Sequence, residues 1–360
     1  MQDIYLVGLL AQRLMLAAFG LTGAQVEVKG RLLGGERAGI ERDGWPVLKD
    51  EDGAINAVRV QSNDALQRYI AVMGLQPLSR PEGPVFGAVG QGEAVRPWHP
   101  VLTDLAAEIA TLIVEAPADQ DVKLLSRRLP MLGVLAASRL RGRASAPSGG
   151  EVVAPHGSED LRVVAKRQPY AGFFAVEAWD LAHRKHDGGF TPVITREALV
   201  SGDAVIVLPW DPVRDRVMVI EQFRLIPALR HDPQPWLLEP IAGRVDAGES
   251  VEDAIRREAL EEADLNLGRL YPAVNYYPSP GTLGEFLYTF AAIADLPDGI
   301  TGVHGLDGEA EDIRGHVLPR ETLVRMVTGG QVTNGPLAMI VLWLETQKDR
   351  IRAELAQASG

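Results

Sequence analysis

Cysteine is absent from all 360 residues. Disulfides, thiolate nucleophiles and cysteine-based zinc or iron–sulfur sites are thereby excluded, and the absence fits a reducing cytoplasm. Long apolar runs are missing as well. The N-terminal stretch IYLVGLLAQRLMLAAFGL follows Asp3 and is interrupted by Arg13, whereas a signal peptide needs a basic start and an unbroken apolar run. MLGVLAA (Met131–Ala137) is too short to span a bilayer. A soluble, cytoplasmic chain without membrane contact is expected. The seven histidines form no metal-spaced set; His183 and His186 would sit one helical turn apart and read as surface residues. Excess basic charge is also lacking. Residues 1–150 hold 16 Lys+Arg and 16 Asp+Glu, and residues 151–360 hold 20 and 32, so the second part carries the whole net charge of −12. Such a surface does not grip a nucleic-acid backbone. It can still handle small phosphorylated molecules if cations bridge the two like charges.

With 46% hydrophobic residues, the chain can fill two or three domain cores. RASAPSGGEVVAPHGS (143–158) is rich in Ala, Ser, Gly and Pro and has no period. It divides the sequence into a domain at 1–142, a linker at 143–158 and a domain at 159–360. The first part predicts a strand at Ile4–Val7, a helix at Leu9–Phe19, strands at Val26–Leu33 and Ala54–Val60, and a helix at Asp64–Met73. Two later helices follow, the second broken at Pro130, and Arg139, Arg141 and Arg143 read as a solvated helix end. The second part predicts strands at Ala204–Leu208, Val217–Phe223, Trp236–Pro240, Leu270–Tyr276 and Glu285–Ala294. Helices are predicted at Ser250–Ala263, Arg320–Val327 and Pro336–Leu355. Strands interleaved with helices imply a sheet between helical layers.

The chemistry concentrates in GRVDAGESVEDAIRREALEEADL (Gly243–Leu265). Ser250 is the expected N-cap, with Asp253 completing a variant capping box. At about 100° per residue, Val251 and Ile255 define the inward stripe. Glu258 and Glu262 continue that stripe and Glu261 lies alongside, while Glu252, Asp253 and Arg256 take the solvent face. Carboxylates turned toward a core repel one another and lose hydration. Arg257 points sideways and is not expected to serve three of them. Divalent cations are: an all-oxygen site with few protein ligands suits Mg²⁺ or Mn²⁺, which accept phosphate oxygens. Ahead of the helix, PIAGRVDAGE brings two glycines, a carbonyl at Ala242 that can complete a metal shell, and Glu249.

This string resembles the Nudix box, G-x5-E-x7-R-E-U-x-E-E-x-G-U with U a bulky apolar residue. Gly243, Glu249, Arg257, Glu258, Glu261, Glu262 and Leu265 match it. Ala259 replaces a larger apolar residue, and Asp264 replaces the glycine that ends the helix. GDAVIVLPWDPVRDRVMVIEQFR, PWLLEPIAG, YYPSPGTLGE and GVHGLDGEAEDIRGHVLPRE extend the likeness to the bacterial ADP-ribose pyrophosphatases over about residues 165–350. The resemblance implies an α/β/α sandwich with a mixed sheet, preceded by a smaller α+β domain. It implies Mg²⁺-dependent hydrolysis of ADP-ribose to AMP and ribose 5-phosphate, with Mn²⁺ as an alternative ion. It assigns the metal site to Ala242, Glu258, Glu262 and Glu249, with Arg257 and Glu249 orienting and neutralising the cluster. Glu261 joins the catalytic set and is a further candidate metal ligand. Glu309 would be the general base, with Glu311 close to a metal. Arg224 would grip phosphate, Glu239 would bond substrate or the metal cluster, and Ser279, Gly281 and Glu285 would form a substrate loop. Tyr170, Phe173 and Phe174 could stack on adenine, although core packing is the expected fate of at least two. A homodimer is implied. Two other readings stand beside this one: a different nucleoside diphosphate sugar or a dinucleotide as substrate, and a non-catalytic nucleotide-sensing module.

Residues 1–75 resemble a γ-glutamylcyclotransferase-like domain, through YLVGLL and DGWPVLKDEDGAINAVRVQSNDALQRYIAVMG. The acid/base glutamate of that family corresponds to Met73. Methionine cannot shuttle protons, so an inactive domain is expected.

Overall fold

The computed structural model describes residues 3–146, 149–152, 156–305 and 312–358. The chain separates into two compact units, 1–201 with 246–248 and 202–245 with 249–360.

In the first unit, β1 (Asp3–Val7), β2 (Ala24–Leu33), β3 (Val47–Gln61), β4 (Leu78–Arg80) and β5 (Gly83–Phe86) form a sheet in the order β2-β3-β1-β5-β4. β1 runs parallel to β5 and antiparallel to β3. The predicted helix at Leu9–Phe19 is instead a 3₁₀ turn, Gly8–Ala11, followed by α1 (Arg13–Ala18). The break has a cause: Gly8 has φ +58° and Gln12 is extended, so no single α-helix passes through. α2 (Asp64–Met73) matches its prediction, with Asn63 accepting from the Leu66 amide at 2.9 Å and Gly74 ending it at φ +67°. Met73 lies at the end of α2 and is 1% exposed, packed in the unit's hydrophobic core. α3 (Thr103–Glu115), α4 (Val122–Arg127) and α5 (Leu129–Ala144) complete that core. The break between the last two falls at Arg128, with Pro130 in the first turn of α5.

The basic cluster on α5 is not simply solvated. Arg143 pairs with the buried Glu108 at 2.6 Å, and Arg139 reaches Glu108, Glu115 and Glu177. Those pairs bear on where the units part. β6 (Leu161–Ala171), β7 (Ala175–His183) and the first residues of β8 (Ile194–Asp211), none of them expected from the sequence, group with the helices. Gln168 on β6 accepts from Gln120 at 2.7 Å and from Arg128 at 3.2 Å. The compact units therefore divide after Ser201, later than the 143–158 stretch marked by composition. His183 ends a strand, so its spacing to His186 is not a helical turn. Tyr170 and Phe173 are 60% and 63% exposed, and the expected core packing fails for both.

In the second unit the sheet order is β12-β13-β8-β9-β15-β14. β10 pairs with β9 and β11 with β8. The elements are the rest of β8, β9 (Arg216–Phe223), α6 (Leu225–Leu229), β10 (Trp236–Glu239), β11 (Ile241–Arg244), α7 (Val251–Ala263), β12 (Leu270–Pro272), β13 (Leu283–Ile293), β14 (Val303–His304), β15 (Ile313–Pro319), α8 (Arg320–Thr328) and α9 (Gly335–Ala358). The strand expected at Leu270–Tyr276 stops at Pro272, and Tyr276 makes only an isolated bridge to Leu287. Strand alternation sorts the residues into two layers. Val205, Val207, Met218 and Ile220 pack with Ile255 and Ala259 of α7. Leu208, Trp210, Val217 and Val219 pack with Leu323 of α8 and Leu337, Val341 and Leu344 of α9. This is the α/β/α sandwich that the interleaved pattern implies.

Asp215, at the β8–β9 turn, ties that second layer down. Its carboxylate accepts from Arg320 Nε and Nη2 at 3.0 Å each, from Arg352 at 2.8 Å and from the Trp210 indole at 3.2 Å. Burial disfavours the charge, but the Arg320 and Trp210 bonds and the charges of Arg320 and Arg352 outweigh it, so the carboxyl titrates below its ordinary range. Asp215 has φ +51°, a conformation asparagine also tolerates. Asp215→Asn is expected to cost about 1–2 kcal/mol at neutral pH, after discounting for partial exposure. A depressed folded pKa stabilises above the unfolded value and is lost as pH falls through the folded one. The gap in melting temperature between the two proteins should therefore close below about pH 4; a gap that stays constant into acid would refute this account.

Candidate active site

α7 is built as its sequence dictates. Ser250 accepts from the Asp253 amide at 3.1 Å, and its hydroxyl also bonds the Asp253 carboxylate at 2.6 Å. Glu252, Asp253 and Arg256 face solvent; Ala254, Ile255, Ala259 and Ala263 are buried. Val251, expected to share the inward stripe fully, is only half-buried. Asp264 takes the left-handed conformation at φ +48° that the usual glycine would supply. Ala259 is fully buried, so the smaller side chain is absorbed by packing.

Glu262 is 3% exposed, and its carboxylate accepts from the Ala242 amide at 3.0 Å. The same β11 segment makes room for Glu258. A Cβ on Gly243 would lie 1.8 Å from Glu258 Oε1, so only glycine leaves the space that this carboxylate occupies.

Arg257 does what its predicted sideways direction seemed to forbid. Nε and Nη2 hold Glu249 at 3.0 Å each, and Nη1 donates to Glu258 at 2.7 Å and to Glu261 at 3.0 Å. Nη2 also donates to the Arg244 carbonyl at 3.0 Å. It reaches three carboxylates because its planar fork lies across the cluster instead of along the helix. Burial disfavours the guanidinium charge, but the Glu249 hydrogen bonds and the Glu258 charge dominate and hold its pKa above the ordinary value.

Three carboxylates therefore gather on one cation, and a fourth, Glu262, is held beside β11. The donors are hard oxygens, and the space left by Gly243 holds the Glu258 carboxylate, so their chemistry fits a divalent ion. Among the described residues, no three acid or histidine side chains converge as a metal cage. In this arrangement Glu258 and Glu261 are turned to Arg257, and Glu262 to the Ala242 amide.

A second group sits on β9 and β10. Glu239 is buried and accepts from Arg224 Nε at 2.9 Å and Nη2 at 2.6 Å, from Gln222 at 3.3 Å and from Asn334 at 3.1 Å. Gln222 and Asn334 were not anticipated. Gln222 is two residues from Arg224, hence on the same sheet face, and Asn334 precedes Gly-Pro at a helix start; both signals were present in the sequence.

The SPG segment forms a third group, an exposed turn. The Ser279 carbonyl accepts from the Thr282 and Leu283 amides at 3.1 and 2.9 Å, and a Cβ on Gly281 would meet open space. Glu285 lies near Tyr276, whose hydroxyl is pushed up to about 12 by burial and by that negative charge. Glu309 and Glu311 lie outside the described residues. The chain just before them is anchored to the acidic helix, since the Gly305 amide donates to the Glu261 carbonyl at 3.3 Å.

Known proteins are similar to this chain in sequence. The NUDIX domain family matches residues 200–334. The ADP-ribose pyrophosphatase of Escherichia coli K12 is 38% identical over 200 residues, covering 56% of this chain and 95% of that protein. The ADP-ribose pyrophosphatase of Haemophilus influenzae is 35% identical over 189 residues, covering 52% and 87%. The GDP-mannose pyrophosphatase of Yersinia pestis is 30% identical over 161 residues, covering 45% and 80%. A likeness 200 residues long exceeds Gly202–Gly360, so it reaches back into the strands before Gly202. With the glutamates on α7, the glycine that accommodates one of them and relatives matched almost end to end, the chain belongs to the Nudix hydrolases, in their ADP-ribose pyrophosphatase branch.

Proposed function

We propose that this enzyme hydrolyses the pyrophosphate bond of ADP-ribose, giving AMP and ribose 5-phosphate, with Mg²⁺ and with Mn²⁺ as an alternative ion. The observation that carries the reading is the gathering of Glu249, Glu258 and Glu261 around Arg257, with Glu262 buried beside Ala242. Glu258, Glu262 and the Ala242 carbonyl would hold the ion, with Glu261 a further ligand. A bound divalent ion supplies neutralisation of phosphoryl charge and a lowered pKa for bound water. The chain's own residues supply the rest. Arg257 with Glu249 keeps the acids from repelling one another. Arg224 offers a planar grip for a phosphate. Glu309 is the proposed general base, with Glu311 proposed to act close to the ion, because carboxylates engaged with a cation are poor proton acceptors.

A second reading keeps the chemistry and changes the sugar nucleotide, favoured by the likeness to a GDP-mannose pyrophosphatase. Product analysis of ADP-ribose, GDP-mannose and dinucleotides with Mg²⁺ and Mn²⁺ separates the two. The first predicts the highest kcat/KM for ADP-ribose and AMP as product. Tight ADP-ribose binding with no turnover on any compound would favour a nucleotide-sensing module instead.

Gly243→Ala tests the arrangement itself. The added Cβ displaces the Glu258 carboxylate, the far end of a flexible side chain, so the fold is expected to survive while kcat drops by about ten- to a hundred-fold. A variant with unchanged kcat would mean that Glu258 has no fixed place in the reaction.

We also propose a homodimer and a hydrolase domain at 159–360. What supports the dimer is an exposed apolar patch of Phe223, Leu225, Ile226, Leu229 and Trp236. No described helix is long and apolar enough to cross a membrane. The first domain is proposed to be inactive as a cyclotransferase, given a buried methionine at position 73.

A further inference from the structure

Glu239 looks at first like a substrate-binding acid, but it is buried and already bonded to three side chains. A carboxylate offers about four lone-pair sites. Four donor nitrogens meet Glu239: Arg224 Nε, Arg224 Nη2 and Gln222 Nε2 on Oε2, and Asn334 Nδ2 on Oε1. The residue is 4% exposed. Three of the donors fall on Oε2 and one on Oε1, and burial keeps what is left of Oε1 away from a substrate hydroxyl.

Asn334 is held just as firmly. Its Oδ1 accepts from the Leu337 amide at 2.8 Å, and its carbonyl accepts from the Ala338 amide at 3.1 Å, so it caps α9. Because the side-chain oxygen is taken by an N–H, the NH₂ group must be the end that faces the carboxylate. One buried carboxylate thus joins β9, β10 and the start of α9. The guanidinium of Arg224 is bound to it by one edge, through Nε and Nη2, while the side chain as a whole stays 43% exposed.

We infer that Glu239 and Asn334 are positioning residues that fix the angle at which Arg224 is presented, and that neither touches the diphosphate. The inference rests on the reading of Arg224 as the phosphate grip. Its physical basis is preorganisation: a guanidinium held in plane loses less rotamer freedom when a phosphate binds. Gln222, itself buried, adds a further donor to the same oxygen.

The test is steady-state kinetics on ADP-ribose with Mg²⁺ for the full chain and for Arg224→Lys, Glu239→Gln, Asn334→Ser and the Arg224→Lys/Glu239→Gln pair. Serine keeps an oxygen to cap α9 but removes the amide donor to Glu239. Glu239→Gln is expected to raise KM about ten-fold, from the loss of a charge-assisted hydrogen bond, with kcat within about three-fold. Asn334→Ser should move KM in the same direction by less. In the Arg224→Lys background, Glu239→Gln should add little, because the group it positions has gone. Melting temperatures identify any variant that merely fails to fold, and the serine variant then carries the measurement. Additive effects on KM in the double variant, or a kcat loss without a KM change in Glu239→Gln, would overturn the positioning role while leaving the phosphate grip intact. An unchanged KM in Arg224→Lys would overturn the grip itself, and the inference with it.

Discussion

Glu258→Gln is expected to lower kcat by about three orders of magnitude, and Glu262→Gln by at least about two, with both proteins folded. Glutamine keeps the shape of each side chain and an acceptor oxygen. At position 258 that oxygen can still take the Arg257 bond of 2.7 Å, and at position 262 it can still take the Ala242 amide at 3.0 Å. Only the charge is lost. Charge is also what makes this cluster costly, since three carboxylates share one guanidinium and a fourth, Glu262, is buried beside the Ala242 amide. Each glutamine variant therefore relieves repulsion and should melt no lower than the wild type while losing turnover. Added Mg²⁺ should raise the melting temperature of the wild type through linkage and do so much less for either variant. A kcat within three-fold of wild type for both variants would remove the metal site from this helix.

The sequence carried this site further than it carried the rest of the fold. α7 was legible because local rules govern it: a serine cap, an apolar stripe and acids that break the stripe. Even its irregular end could be read, since Asp264 occupies the position that needs a left-handed residue, and it adopts one. Long-range choices were not legible. The direction of Arg257 depends on Glu249 and the Arg244 carbonyl, which precede it by 8 and 13 residues and arrive through the β11 loop. Asn334 meets Glu239 across 95 residues. β6 gave little signal because nearly all its residues are exposed, so it shows no inward-facing alternation. The same exposure explains Tyr170 and Phe173, which look like core residues by type and are not. Composition located the 143–158 stretch, but the division of contacts follows Gln168 and Glu177, whose partners Gln120, Arg128 and Arg139 all precede that stretch.

Arg257→Lys is the second large effect, and here stability and turnover are expected to fall together. An arginine has five N–H groups. All five are used: one from Nε to Glu249, two from Nη1 to Glu258 and Glu261, and two from Nη2 to Glu249 and the Arg244 carbonyl. Lysine offers three donors from a single point and cannot span acceptors on the loop, on both turns of the helix and on β11. At least two bonds to charged groups must fail, a loss of about 2–4 kcal/mol in a half-buried site. The freed carboxylates then swing apart, and kcat should fall by about two to three orders of magnitude, because the groups that hold the ion lose their spacing. The guanidinium is held well above any accessible pH, so the deficit should be the same across neutral and mildly alkaline pH. Raising Mg²⁺ should recover part of the melting temperature, since a divalent ion neutralises the same acids, yet recover little of kcat, since it cannot restore their geometry. Full recovery of turnover by Mg²⁺ would mean that Arg257 contributes charge alone, and the fan of five bonds would then have no role in orienting the glutamates.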